Sequence, residues 1–251
     1  MNKNWTKEEH ILAFNLYCKI PFSKINATYP PVKELAEVLG RSNGAVAMKL
    51  ANFARLDPAL KARNISGLTQ GAKGEEIVWN EFYDNWDELA YESENLLAQY
   101  KKKPIEYQIA NLPLEIEGKE RNAIVKQRIN QNFFRNMILA SYDYKCCITH
   151  SNTFEFLTAC HIKPWNIDVE NRVNPHNGLC MNYLHHIAFD KGLFTITEDY
   201  KILLSKKLYK RKDSLIENLF FKYENKNISL PHKFIPDKQF LKYHNNVIFR
   251  E

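Results

Sequence analysis

The stretch from Phe154 to Phe194 constrains the fold of this chain more than any other. It reads FEFLTACHI, then a polar loop rich in Asn and Asp, then NGLCM and finally YLHHIAFDKGLF. The first and third segments are short and apolar, as in buried strands. The last is long enough for a helix, with Gly192 just beyond its end. We therefore expect the order strand, loop, strand and helix.

Three side chains in this stretch can carry chemistry. His186 and Asp190 are four residues apart, so they project from one face of the predicted helix and can hold a divalent cation. His161 ends the first strand, where a neutral imidazole can act as a general base. His185 is the alternative to His186, but its neighbour one turn later is Phe189, which favours His186. Each histidine alone could be structural; together, in this order, they favour phosphodiester hydrolysis.

The segments CHIKPW, NPHNGL and HHIAFDKGLF resemble the HNH endonucleases with the ββα-metal fold, and within them a bacterial restriction-type subset. The resemblance implies that His161 is the general base and that Asn177 fixes the loop that orients it. It implies that His186 binds the metal and that Asp190 matches a further ligand position. One divalent ion per active site is implied, with Mg²⁺ expected first and Mn²⁺, Ni²⁺ or Zn²⁺ as alternatives.

Cys160 departs from the pattern of that family, in which Asp or His often precedes the base. A thiolate is a soft ligand that suits Zn²⁺ or Ni²⁺ better than Mg²⁺. Two interpretations follow: Cys160 binds the metal, or it only fills the core. The five cysteines form an odd number and no C-x-x-C pair. We expect buried thiols rather than disulfides or a structural zinc site.

The N-terminal part of the chain has the pattern of a helical DNA-binding domain. A Thr6–Glu9 capping box begins a predicted helix that ends before Pro21. The segment ELAEVLGRSNGAVAMKL then predicts two helices joined by a Gly-Arg-Ser turn, which suits a helix-turn-helix whose second helix enters the major groove. A plain three-helix core is the alternative. The candidate DNA-binding residues are Arg41, Asn43, Lys49, Arg55 and, beside the predicted base, Lys163.

Charge is distributed unevenly along the chain. The segment 74–100 carries eight acidic residues and no Lys or Arg, which leaves 35 basic against 21 acidic residues elsewhere. Such a surplus fits a polyanionic partner, although a solvated charged surface would look the same. Trp79, Phe82, Tyr83 and Trp86 recur in the acidic segment at helical spacing. We expect them to lie on one packed helix.

These patterns predict an α+β protein with three parts. A helical, helix-turn-helix-like domain is expected over residues 1–99, a linker over 100–122, and an HNH nuclease domain with a C-terminal extension over 123–251. The N-terminus is polar and no apolar run is long enough for a membrane span, so we expect a cytoplasmic protein.

The predicted function is metal-dependent cleavage of double-stranded DNA in restriction or phage defence. A symmetric homodimer is one way for such a site to cut both strands. The alternative is a non-enzymatic DNA-binding regulator in which the metal site is structural. A third interpretation is that the N-terminal domain senses a modified base or a partner protein.

Overall fold

A computed structural model of the protein describes residues 4–65, 71–108, 118–210 and 213–250. The chain forms two compact units, 1–141 and 142–251. The described residues are mostly helical and include two small antiparallel sheets, so the predicted α+β class is confirmed. In the described part of the chain, no helix combines the length and the apolar character that a membrane crossing requires.

The first unit is built from helices whose ends follow the predicted caps. The side chain of Thr6 accepts a hydrogen bond from the Glu9 amide while the Glu9 carboxylate accepts one from the Thr6 amide, which confirms the capping box. Gly40 has a φ of +63°, a conformation that favours glycine, and ends the second helix. The helices are α1 (Lys7–Lys19), α2 (Pro30–Leu39), α3 (Asn43–Ala54), α4 (Pro58–Ala62), α5 (Lys73–Phe82), α6 (Trp86–Lys101) and α7 (Gly118–Ser141).

Helix α1 lies at the centre of this unit and contacts α2, α3, α5, α6 and α7. Phe14 and Tyr17 are fully buried on it, and the Phe14 ring stacks on Phe53 of α3 with their centroids 4.9 Å apart. Aromatic side chains therefore form the core that holds the helices together.

The expectation of one helix through the acidic segment is wrong. The segment forms two helices, α5 and α6, separated by residues 83–85. Asp84 has a φ of +75°, which a continuous right-handed helix does not allow. The aromatic residues still pack together, because Tyr83 stacks on Trp79 and meets the edge of Trp86.

The second unit contains the predicted order of strand, loop, strand and helix. In the first sheet Thr158 pairs with Met181 and His161 with Gly178. The hairpin predicted near residues 193–205 is present as the second sheet. The elements are β1 (Leu157–His161), β2 (Gly178–Asn182), α8 (Tyr183–Asp190), β3 (Phe194–Ile196), β4 (Ile202–Leu204), α9 (Lys206–Tyr209), α10 (Ser214–Leu219), α11 (Lys238–Tyr243) and a π-helix (His244–Ile248).

The boundary between the two units falls later in the sequence than the predicted domain boundary. Helix α7, most of which the sequence assigned to the nuclease domain, packs on α1 and α6 and so belongs to the first unit. The predicted linker over 100–122 contains the end of α6 and the start of α7, while residues 109–117 lie outside the described residues. The domain limits 1–99 and 123–251 stay a prediction.

Candidate active site

Strands β1 and β2 and helix α8 form one continuous ββα arrangement. The last residue of β2, Asn182, caps α8 by accepting a hydrogen bond from the amide of His185 at 2.9 Å. The helix contacts both strands. Because the strand runs directly into the capped helix, the orientation of the α8 side chains relative to β1 is fixed.

A group of three side chains on β1 and α8 could hold a metal ion. One ligand atom each from Cys160, His186 and Asp190 lie within 4.8 Å of one another. His186 Nε2 is 3.3 Å from Asp190 Oδ2, and Cys160 Sγ is 4.0 Å from Asp190 Oδ1. Cys160 is fully buried whereas the Asp190 side chain is exposed. The group therefore opens to solvent at its carboxylate and ends in the core at its thiol.

Nitrogen, oxygen and sulfur ligands together fit a divalent ion of borderline softness, such as Zn²⁺. Burial, assisted by the nearby Asp190 carboxylate, raises the pKa of the Cys160 thiol well above its ordinary value. A cation held by these groups would act in the opposite direction and stabilise the thiolate. His186 and Asp190 alone suit harder ions, so the state of Cys160 bears on which ion the site prefers.

Thr158 is a component of this site that the sequence patterns did not single out. Its Oγ1 lies 2.8 Å from His186 Nδ1 and 3.4 Å from the carbonyl oxygen of Met181. The hydroxyl can donate to the carbonyl while it accepts from Nδ1–H, which leaves the lone pair of His186 on Nε2, toward Asp190. The alternation of side chains along a strand could have identified Thr158, since Thr158 and Cys160 are two residues apart and lie on one face of β1.

His161 is held in a form suited to accept a proton. Its Nε2 is 2.9 Å from the carbonyl oxygen of Arg172 and donates to it, so the lone pair is on Nδ1. Burial lowers the pKa of His161 to about 4, and nearby Asp190 opposes this shift. The ring is therefore neutral at pH 7. Trp165 meets its edge with the ring centroids 5.5 Å apart.

Asn177 joins its loop to the backbone of Lys163, two residues after His161. Its side chain is buried; Oδ1 accepts from the Lys163 amide at 2.8 Å and Nδ2 donates to the Lys163 carbonyl at 3.0 Å. Its own carbonyl accepts from the Ile162 amide at 3.0 Å. The loop cannot move away from the end of β1 without breaking these bonds, as the anchoring role implied by the resemblance requires.

His185 and His186 face different surroundings. The His185 ring is buried, with Nδ1 2.8 Å from Asn182 Nδ2 and Nε2 2.6 Å from the carbonyl oxygen of Leu219. Both nitrogens are therefore engaged in the core. His186 instead reaches Asp190, as the spacing along α8 predicted.

Most of the candidate DNA-binding residues in the first unit already have acidic partners. Arg41 Nη2 is 2.7 Å from the Glu9 carboxylate, and Lys49 forms a buried ion pair with Glu75. Arg55 Nη1 lies 3.0 Å from Glu76. DNA would have to compete with these carboxylates, so the contribution of these three residues to DNA binding stays a prediction.

The other two candidates differ in their surroundings. Asn43 is the first residue of α3 and is half-buried. Lys163 follows the predicted base in the second unit, where its Nζ is 2.9 Å from Asp168 Oδ2 and 5.1 Å from the centre of the Tyr243 ring. The structure places Lys163 on the loop of the candidate active site, and its contact with DNA also stays a prediction.

Residues 146–197 match a family model described as HNH endonuclease. The matched segment contains β1, β2, α8 and β3, together with the group formed by Cys160, His186 and Asp190. No curated protein matches the chain. The resemblance to the HNH endonucleases is confirmed for this segment, and the match supports a nuclease in general.

Proposed function

We propose that the protein is a metal-dependent endonuclease that hydrolyses phosphodiester bonds of double-stranded DNA. The observation that carries the proposal is the proton arrangement of His161, whose Nε2–H is engaged by the Arg172 carbonyl and whose Nδ1 is the basic atom. His186 and Asp190 are near enough to influence the pKa of the same ring. A base and a candidate metal-binding pair therefore share one ββα arrangement.

In the proposed reaction, Nδ1 of His161 takes a proton from the attacking water while Nε2–H keeps its bond to Arg172. A divalent ion held by His186 and Asp190, with Cys160 in reach, would stabilise negative charge on the phosphate and on the leaving oxygen. The Arg172 carbonyl also favours the imidazolium that forms, because it accepts from the charged ring. Asn177 is a positioning residue that holds the Lys163 backbone beside this base.

The low pKa of the His161 ring in the absence of DNA is compatible with this role. Burial makes the ring a weak base before DNA is bound. A DNA phosphate placed beside the ring adds negative charge, which favours the protonated form and moves the pKa toward neutrality. The same phosphate that brings the substrate thus strengthens the base.

The wider role that we propose is restriction or phage defence. Its support is the resemblance of the motifs to the bacterial restriction-type subset. One site of this kind cuts one strand, so a double-strand break requires two successive nicks or two protomers in a symmetric dimer.

Cleavage of supercoiled plasmid with Mg²⁺ or Mn²⁺ tests the proposal. We expect His161→Ala to cut at least about 100-fold more slowly than the wild type, because general base catalysis typically contributes 10²–10⁴-fold. Metal affinity and DNA affinity should change little. His150→Asn is the matched control, since this histidine is exposed in the same unit and Asn accepts its positive φ of 59°.

Full activity of His161→Ala would remove this residue from the reaction. Wild-type protein that cuts neither plasmid nor methylated or hydroxymethylated phage DNA would instead favour the DNA-binding regulator. The observation behind that alternative is the helix pair α2 and α3, joined by the three residues 40–42.

A further inference from the structure

Cys160 is the member of the candidate metal group whose role the proposed cleavage reaction leaves open. His186 and Asp190 hold the ion in that reaction, and Cys160 lies within reach of them. The role of the thiol decides which ions the site accepts, because a thiolate is a soft ligand that suits Zn²⁺, whereas Mg²⁺ prefers an octahedron of oxygen atoms.

Cys160 lies on the face of β1 that meets α8. Side chains alternate along a strand, so Cys160 shares this face with Thr158. The Thr158 hydroxyl oxygen is 2.8 Å from His186 Nδ1. Cys160 Sγ, two residues farther along the strand, is 4.0 Å from Asp190 Oδ1. The two side chains on this face of β1 are therefore both directed at the metal-binding pair of α8.

The ligand atoms of the group have the spacing that one small ion requires. His186 Nε2 and Asp190 Oδ2 are 3.3 Å apart. A tetrahedral Zn²⁺ ion with bonds of about 2.0–2.1 Å to nitrogen and oxygen separates these two atoms by about 3.3 Å. No two ligand atoms of the group are more than 4.8 Å apart, so one point lies within about 2.8 Å of all three. Shifts of less than about 1 Å therefore bring all three atoms to bonding distance.

The burial of Cys160 is compatible with binding an ion. The residue is fully buried, but the Asp190 side chain beside it is 57% exposed. An ion that arrives at the carboxylate reaches the sulfur by entering the gap of 4.0 Å between Asp190 Oδ1 and Cys160 Sγ. As the metal–sulfur bond forms, the thiol proton passes to solvent, and the positive charge of the ion stabilises the thiolate that remains.

We propose that Cys160 is the third protein ligand of the ion and makes the site select thiophilic divalent ions, above all Zn²⁺, over Mg²⁺. This inference rests on the proposed function, which places a divalent ion at His186 and Asp190. Sulfur, nitrogen and oxygen from three residues leave a fourth position of a tetrahedral ion open, as in catalytic zinc sites. Because Cys160 directly precedes His161, the bond to the ion also fixes the backbone beside the proposed base.

Co²⁺ is the probe that tests this ligand, because it takes the place of Zn²⁺ and its bond to a thiolate absorbs in the near ultraviolet. The full-length protein, freed of metal and kept without oxygen, receives one equivalent of Co²⁺, and its absorption spectrum is recorded. The affinities for Zn²⁺ and Mg²⁺ are measured by competition with Co²⁺. Neither measurement involves DNA, so the outcome does not depend on whether the chain is a nuclease.

Two variants remove the thiol in different ways. Cys160→Ala deletes the ligand, and Cys160→Ser keeps the size of the side chain but offers a harder oxygen atom. Cys147→Ala and Cys147→Ser are the matched controls, because Cys147 is also a buried free thiol of the second unit and does not belong to the group. We expect the thiolate band in the wild type and the controls and its loss in both Cys160 variants. Affinity for Zn²⁺ should fall at least about 100-fold, more than the loss of a residue that only orients a ligand costs, while affinity for Mg²⁺ stays within about twofold.

The proposal is overturned if the wild type with Co²⁺ shows no thiolate band, or if the band persists in Cys160→Ala. It is also overturned if Cys160→Ser has the same ratio of Zn²⁺ to Mg²⁺ affinity as the wild type. Circular dichroism shows whether each variant is folded, and Cys160→Ser decides the matter if Cys160→Ala is not. Plasmid cleavage by a wild-type protein that lacks the band would overturn the role of Cys160 alone and leave the proposed nuclease intact.

Discussion

At the residue scale, one hydrogen bond sets which nitrogen of His186 can face a metal. Thr158 Oγ1 engages Nδ1, so Nε2 is the nitrogen that lies on the Asp190 side. Thr158→Val keeps the shape of the side chain and removes this hydrogen bond. We expect metal affinity to fall about 10–100-fold, as for other residues that orient metal ligands. Calorimetric titration with Zn²⁺ and Mn²⁺ measures the change.

Thr153→Val is the control for this substitution, since Thr153 is exposed just before β1 and its side chain makes no cap hydrogen bond. It should bind metal as the wild type does. Equal affinity of Thr158→Val and wild type would mean that His186 is oriented by other contacts or does not bind the ion.

Residue spacing predicted the local geometry of the site but not its long-range contacts. The pair His186 and Asp190 follows from the helix period, and the antiparallel register then places Cys160 beside it. The sequence does not decide between the two interpretations of Cys160, because it does not give that register. The ion pair between Lys49 and Glu75 was missed for the same reason, since its partners are 26 positions apart.

At the scale of elements, the prediction succeeded where local signals decide the outcome. Helix α1 begins at its capping box and α2 ends at Gly40 because these residues satisfy the free backbone groups of a helix end. The break between α5 and α6 was missed because Asp84 carries no such signal. Asp can adopt a positive φ, but nothing in the sequence shows that it does so at this position. In the structure the positive φ occurs beside the packing of Tyr83 on Trp79.

The π-helix at the C-terminal end of the described chain secures α8 through His244. This ring is buried, stacks on Phe189 at 3.6 Å between centroids, and donates from Nε2 to the Phe189 carbonyl at 3.0 Å. Its Nδ1 lies 2.8 Å from the hydroxyl of Thr195 on β3. One neutral histidine therefore joins the π-helix, α8 and β3.

Burial lowers the pKa of His244 from 6.5 to about 4, which makes the stability of the second unit depend on pH. As the pH falls, His244 is protonated in the unfolded chain at a higher pH than in the folded chain. The stabilisation is therefore complete above pH 6.5 and is lost as the pH falls toward 4. The full loss amounts to roughly 3 kcal/mol. Pulse proteolysis in urea, with EDTA present and fragments of 142–251 identified by mass, measures this unfolding free energy.

His244→Phe should be less stable than the wild type at pH 7.5, because two hydrogen bonds are lost, yet its stability should decline less between pH 6.5 and 4.5. His161, whose pKa is also lowered to about 4, still contributes its own part of the loss of unfolding free energy in this variant. The exposed control His150→Asn should follow the wild-type curve. An unchanged slope in His244→Phe would show that this histidine does not titrate with folding.

At the scale of the whole molecule, the basic surplus lies mainly in the second unit. Residues 1–141 contain 19 basic and 17 acidic residues, and residues 142–251 contain 16 and 12. The acidic residues of segment 74–100 offset much of the positive charge of the first unit. Their carboxylates pair there with Lys7, Lys19, Lys49 and Arg55. Nonspecific attraction to phosphate therefore belongs more to the unit with the candidate active site.

The candidate metal ligands all belong to the second unit, which leads to a prediction for the full chain. Binding to the folded state alone stabilises by RT ln(1 + [L]/Kd), about 2.7 kcal/mol when the free ion is at 100 times Kd. Zn²⁺ or Mn²⁺ at that level should slow hydrogen exchange in peptides of β1 and α8, which carry Cys160, His186 and Asp190. Peptides of α1 and α3 should exchange as they do in EDTA.

Asp190→Asn separates site binding from a general effect of the ion. Its side chain is 57% exposed, so folding should survive the change, while loss of the carboxylate weakens the hold on the cation. The metal-dependent protection of β1 and α8 should then require a higher ion concentration. Protection that is equal in both units, or that survives Asp190→Asn unchanged, would mean that the ion acts elsewhere on the chain.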